Sequence, residues 1–325
     1  MTQEIVAAPP ETPAETPVMR CADAARMRGE PLAASAVPYR RFLLLEVPGP
    51  WASSALDGKH LDPDTAARLH RAAADTDTHI VLIRRPGRHP STGAGPRTMA
   101  WAFADTSSGS APVRWGAWRD PADLLKLDLH AEIPGESNAA GPQRLALVCT
   151  NGKRDLCCAV RGRPVAAAIA AATDWETWEC SHLGGHRFAA TMMLLPSGDM
   201  FGWLDSGSAL EVLQRYDAGQ CVLTHYRGRA GQPRPVQAAL FTVAVRLGEF
   251  RRDALRVASA RPTGTGPDKA DRWEVEVIHR TTHSPGTAYR LTMGGSRLAP
   301  SLHSCSDNDP RHEIWYETLS FSRVQ

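Results

Sequence analysis

Residues 144–204 read RLALVCTNGKRDLCCAVRGRPVAAAIAAATDWETWECSHLGGHRFAATMMLLPSGDMFGWL. The apolar run at 144–149 reads as a buried strand that delivers Cys149 at its carboxyl end. Beyond it, Asn151-Gly152 and the charged Arg154-Asp155 predict a polar loop leading past Cys157 and Cys158. RPVAAAIAAAT (163–173) reads as an Ala-rich helix with Pro164 near its start, and TWEC (177–180) as a strand. TMMLLP (191–196) and DMFGWL (199–204) flank Pro-Ser-Gly-Asp, a turn signal for a hairpin. SALEVLQRYDAG (208–219) follows as an amphipathic helix ended by Gly219.

The chemistry of this stretch lies in its thiols and imidazoles. His182 and His186 stand four apart, a spacing that would put both on one helix face as in zinc peptidases. Gly184 and Gly185 argue against a helix, because each costs about 1 kcal/mol relative to Ala in a helix interior. No glutamate follows the first histidine, so a loop is expected, with glycine allowing close backbone approach. Two thiolates and two imidazoles can complete a tetrahedral zinc site or a two-iron cluster with Cys on one iron and His on the other. Cys157 and Cys180 are alternate thiol ligands. The remaining cysteines, Cys21, Cys221 and Cys305, are expected to be small buried hydrophobes. Cys157 with His182 as nucleophile and base lacks an identifiable orienting acid, so no catalytic residue is assigned. Tyr226-Arg227-Gly228-Arg229 adds local positive charge and reads as a solvated loop.

Working outward, RFLLLEV (41–47), HIVLIRR (79–85), TMAWAFA (98–104) and VRWGAW (113–118) read as strands. LDPDTAARLHRAAADT (61–76) reads as a helix capped by Asp62, and DPADLLKL (120–127) as a short helix capped by Asp120. Strand, helix, strand, hairpin and helix thus occur in the same order twice, which predicts a structural repeat whose first copy carries no cysteine between 22 and 148. Downstream, residues 236–250 read as a helix, and 273–280, 288–293 and 312–319 as strands of a small β-rich region. The expected organisation is a disordered arm at 1–20, an α/β half at 21–140, a domain at 141–225 that carries the Cys and His candidates and a helix plus β-rich region at 226–325.

Bulk properties narrow the partners. With 37 basic and 35 acidic residues the net charge is +2, which offers no broad surface for nucleic acid or anionic membrane. The first twenty residues lack the pattern of a signal or transit peptide, and runs such as VAAAIAAA (165–172) are too short to span a bilayer, so a soluble cytoplasmic protein is expected. Seven cysteines with four crowded between 149 and 180 look like ligation more than disulfide stapling.

CTNGKRDLCC (149–158), RGRPVAAAIA (161–170), WECSHLGGHRFA (178–189) and TMMLLPSGDMFGWL (191–204) together resemble the sucrase/ferredoxin-like family. Weaker likeness reaches LLLEVPGPW (43–51) and YRGRAGQPRPVQAA (226–239). The resemblance implies an α/β fold: a thioredoxin-like ferredoxin domain, preceded by a cysteine-free thioredoxin-like half and followed by the β-rich region. It also implies a [2Fe-2S] cluster held by Cys149, Cys158, His182 and His186, with Cys158 set by the Arg-Asp-x-Cys-Cys register. The expected task is electron transfer to a redox partner protein that the sequence does not identify, more as a carrier than as a stand-alone catalyst. Neutral imidazoles in place of two thiolates make the cluster easier to reduce, and their free ring nitrogens couple its potential to pH. The alternatives are a zinc-stabilised binding module and a thiol-redox protein. The word sucrase supports no glycosidase reading, since no carboxylate pair stands in a motif context.

Overall fold

In a computed structural model, residues 19–57, 60–87, 98–131, 141–264, 271–281, 284–306 and 308–324 are described. The expected arm at 1–20 lies, apart from Met19 and Arg20, outside these residues, as do residues 132–140. The described chain opens with helix α1 (Cys21–Met27), which the sequence reading missed because seven residues with no side-chain cap leave little periodic signal.

Strand β1 (Arg41–Glu46), helix α2 (Pro63–Asp75), strands β2 (Thr78–Arg84), β3 (Met99–Asp105) and β4 (Arg114–Trp118) and a 3-10 helix at Pro121–Lys126 form the first half. The caps are those expected: Asp62 accepts from the Thr65 amide at 2.9 Å, and Asp120 forms a reciprocal capping box with Asp123. The second half repeats this order with β5 (Leu145–Cys149), α3 (Leu156–Ala172), β6 (Glu176–Cys180), β7 (Met192–Leu195), β8 (Asp199–Phe201) and α4 (Ser206–Asp217), and adds β9 (Tyr226–Arg229). In each half the first strand pairs parallel with the second and antiparallel with the third, which pairs antiparallel with the fourth. This is the arrangement of a thioredoxin-like unit, present twice.

The halves share one sheet. Its order is β4-β3-β1-β2-β6-β5-β7-β8-β9, so the second strands of the two copies meet antiparallel at its centre. Only Ile83 with Cys180 and Arg84 with Glu179 are in register there, and charge reinforces the short ladder. Arg84 donates from Nε and Nη2 to one Glu179 oxygen at 2.8 and 2.7 Å, and Thr150 donates to the same oxygen at 3.0 Å. The alternation within each strand then sorts the core. Leu43, Leu45, Ile80 and Leu82 pack with Leu69 and Ala73 of α2, while Ala146, Val148, Met192 and Leu194 pack with α3 and α4. The other sheet face gathers Phe42, Leu44, Val81, Ile83, Leu145 and Leu147, and carries Cys149, Cys158, Cys180 and Leu183 at one end.

Helix α3 begins seven residues earlier than its Ala-rich run. Asp155 is the N-cap, accepting from the Cys157 amide at 2.8 Å, so Cys157 and Cys158 lie in the first helical turn instead of in a loop. Pro164 is therefore inside the helix. It removes one bond to the carbonyl four residues back, but Val160 and Pro164 both lie on the exposed side of the helix, which leaves that carbonyl open to solvent.

Helix α5 (Arg234–Leu247) and four antiparallel strands complete the chain: β10 (Leu255–Pro262), β11 (Arg272–Thr281), β12 (Ser284–Arg297) and β13 (Ile314–Arg323). Val236, Ala239 and Val243 of α5 cover Val275, Val277, Leu291 and Met293 of this second sheet. The first strand was not anticipated, because LRVASARP exposes most of its residues and lacks an alternating apolar face.

Glycine at 162 seats α3 against β5: a Cβ there would fall 2.1 Å from the Cys149 carbonyl oxygen. Gly162→Ala should lower stability by about 3 kcal/mol, the upper end of overpacking costs, because backbone cannot step aside. Ala167→Gly, exposed on the same helix, should cost about 1 kcal/mol. Urea unfolding of the two variants checks the order; a smaller loss at Gly162 would remove this seating of α3.

Candidate metal centre

The end of β5, the start of α3 and the loop after β6 converge. Cys149 and Cys180 are partners in the parallel β5–β6 ladder, and the Cys149 thiol points toward the Ser181 carbonyl at 3.6 Å. Cys158 packs in the same buried cluster, and its thiol, together with the nearby His182 ring, holds the Cys149 thiol well below its usual pKa. The same contact pushes Cys158 up, as expected when one proton is shared between two sulfurs. Cys180 is fully buried, and desolvation pushes its thiol up, so it stays protonated in the core.

His182 stands on the loop after β6, as the glycines predict, while His186 opens a one-turn 3-10 helix (His186–Phe188), and their ring centroids are 5.4 Å apart. Both glycines have φ of +72°, in the left-handed region. A Cβ at Gly184 would lie 2.6 Å from Val37 Cγ1, and one at Gly185 would lie 2.4 Å from Arg227 Nη2. The close approach that glycine permits is thus to a buried guanidinium and a valine. Burial, followed by the neighbouring His182, pushes His186 down to about 4, which keeps its imidazole neutral at pH 7. Nδ1 of His182 and Nδ1 of His186 are both buried without a hydrogen-bond partner. A buried ring nitrogen left unpaired is costly, and a metal ion is one partner that would satisfy it.

Two clefts flank these rings. His182 lines one of about 510 Å³ with Tyr39, His70, His79 and Arg154. His186 lines the other, of about 520 Å³, where Lys153, Arg154, Arg187 and Arg234 make the wall strongly basic. Arg227 sits beneath the loop. It belongs to β9, is 1% exposed, and donates to the Gly184 carbonyl at 3.0 Å, to Ser35 Oγ at 3.0 Å and to the Ser35 carbonyl at 2.5 Å. The Tyr226–Arg229 segment is therefore a buried strand and no solvated loop. Burial pushes Arg227 down to about 9, so it stays cationic at neutral pH near Cys149 and Cys158. Arg187 braces the other end of the loop between Glu30 at 2.5 Å and Glu313 at 3.0 Å.

Adjacent thiols on α3 part company. Cys157 faces Cys21 and Cys305, with sulfur separations of 3.6 and 3.3 Å, and Cys21 is 3.5 Å from Cys305. Hydrogen bonding from Cys21 lowers Cys157 to about 6. Among the described residues, the one set of three or more His, Cys, Asp or Glu with donor atoms all within 4.8 Å of one another is Cys21, Asp155, Cys157 and Cys305. Neither Cys21 nor Cys305 is the isolated buried hydrophobe expected, and Cys305 is exposed. No local spacing could have paired them, since they are 284 residues apart.

The sucrase/ferredoxin-like family model matches residues 32–228, more than half of the chain, so the chain belongs to that family. No curated protein and no solved structure gives a significant match. No helix among the described residues is long and apolar enough to cross a membrane.

Arg227 supplies a planar fork to three backbone and hydroxyl acceptors, which an ammonium cannot reproduce. Arg227→Lys should therefore cost about 2–3 kcal/mol in urea unfolding, against less than about 0.5 kcal/mol for the exposed Arg71→Lys. Equal stability of the two variants would show that Arg227 does not hold the histidine loop.

Proposed function

We propose that this member of the sucrase/ferredoxin-like family is an electron-transfer protein that holds a [2Fe-2S] cluster, with Cys149 and Cys158 on one iron and His182 and His186 on the other. The observation that carries the reading is the pair of buried, unpartnered imidazole nitrogens close to the buried thiols of Cys149 and Cys158. Two soft donors and two imidazoles are the ligand types that a two-iron centre of mixed ligation uses.

Spacing favours two metals over one. With bonds of about 2.0–2.3 Å, the donors of a tetrahedral zinc ion lie roughly 3.3–3.8 Å apart. No three of these four residues bring their donor atoms within 4.8 Å of one another. A two-iron cluster needs its ligand pairs farther apart than a single ion does, so the wider arrangement suits it.

Such a cluster would supply one-electron chemistry; the protein sets where the electron enters and at what potential. Neutral His182 and His186 leave the centre less negative than four thiolates would, and the Arg227 guanidinium near the thiols shifts it in the same direction. The histidines line the two clefts, so their rings offer an electron a route from the apolar core to the surface. The basic wall beside His186 suits an acidic redox partner, whose encounter would weaken as salt rises.

Iron-replete anaerobic purification should give a coloured protein with two irons and two acid-labile sulfides per chain and a rhombic electron paramagnetic resonance signal after reduction. Cys149→Ala should lose the colour. His182→Cys and His186→Cys should keep it with a lower potential, and Cys157→Ala should keep it unchanged, because Cys157 faces away. Colourless wild-type protein with no sulfide under these conditions overturns the proposal.

A further inference from the structure

We infer that Cys21, Cys157, Cys305 and Asp155 form a second metal site, for a single thiophilic divalent cation of the Zn2+ type, that ties α1 and the segment between β12 and β13 to the start of α3. The donor set comes from three remote segments. Cys21 is the first residue of α1, Cys157 lies in the first turn of α3, and Cys305 stands in the turn between β12 and β13.

Distance argues for a tetrahedral ion. The three sulfurs are 3.3, 3.5 and 3.6 Å from one another, and Cys21 Sγ is 3.5 Å from Asp155 Oδ2. Zinc–sulfur bonds of about 2.3 Å in a tetrahedron put sulfurs roughly 3.8 Å apart, so an ion enters with adjustments of a few tenths of an ångström. The sulfurs lie well beyond disulfide length, and an odd number of thiols always leaves one unpaired.

The carboxylate is aimed in advance. Asp155 Oδ1 accepts from the Cys157 amide at 2.8 Å, while Oδ2 accepts from the Cys305 amide at 2.8 Å and Ser304 Oγ at 2.9 Å. Orientation of a ligating carboxylate by such outer hydrogen bonds is how metal sites fix their geometry. Three thiolates select soft or borderline cations, and the hard oxygen turns the choice from Cu(I) toward Zn2+. Binding forms metal–sulfur bonds with release of the thiol protons and no change in oxidation state.

Cys157 and Cys158 are neighbours on one helix but differ by about 100° in direction, so this site shares no ligand with the centre proposed above. Its failure and the failure of that reading are therefore separable. The full chain, stripped of metal under reducing conditions and then dialysed against buffered Zn2+, should bind one zinc ion. Treated in the same way, Cys305→Ala should bind zinc at least tenfold more weakly, and the same variant, purified anaerobically from iron-replete cells without stripping, should retain iron and sulfide. Cys305→His, which restores a zinc donor, should recover zinc, and Cys149→Ala should keep zinc while losing iron. Co2+ in place of Zn2+ should give the intense visible bands of a tetrahedral thiolate site in the wild type, a readout that needs no variant. Absence of bound Zn2+ and of those Co2+ bands, or zinc that follows Cys149 instead of Cys305, overturns the inference. So does a Cys157–Cys305 disulfide that persists under the reducing conditions.

Discussion

The cap that Asp155 places on α3 is the constraint on which both thiol clusters depend. By accepting from the Cys157 amide at 2.8 Å it starts the helix at Leu156. One helical step then turns two sequence-adjacent thiols in different directions. Had the helix begun at its Ala-rich run, Cys157 and Cys158 would share a loop and compete for one ligand position. Because it begins at Leu156, Cys158 closes over β5 toward Cys149, and Cys157 turns toward α1 and the turn before β13. The same carboxylate also holds the Cys305 amide, so one side chain positions a helix start and a distant turn together.

Fold and site were legible to different depths for one physical reason, the range of the interactions involved. Strands such as RFLLLEV and RLALVC announce themselves through apolar runs, and Asp62 and Asp120 through capping positions a few residues from their acceptors. The repeat was legible from element order alone, and the sheet shows it as two copies meeting at β2 and β6. The true start of α3 was obscured by Pro164, a residue that usually marks a first turn. Charged Arg154 and Asp155 read as a loop, while Asp155 in fact serves the helix from outside it.

What stayed hidden was everything made by long-range contact. YRGR carries two arginines in four residues and looks solvated, yet Arg227 is buried because Ser35 and Gly184, from segments far apart in the sequence, supply its acceptors. Arg187 is likewise buried between Glu30 and Glu313, carboxylates 157 and 126 residues away. Buried charges persist only when such partners are present, and no window of sequence contains them. The glycines of the histidine loop follow from the same packing: Gly185 is needed because Arg227 fills the space its side chain would take.

Donor spacing is what separates the two cysteine clusters chemically. Cys21, Asp155, Cys157 and Cys305 draw together until their donors fit around one ion. Cys149, Cys158, His182 and His186 share a neighbourhood yet stay more widely spread, with two buried nitrogens facing no partner. A compact set rich in anionic donors would favour a cation with no redox chemistry, whose role there would be to join chain segments. A wider set with half its ligands neutral suits a larger centre whose charge changes by one electron, because less uncompensated charge is held in the apolar core. Residues 157 and 158 thus stand at the boundary between the two proposed centres, and the helical step that turns them apart would keep those centres from exchanging ligands.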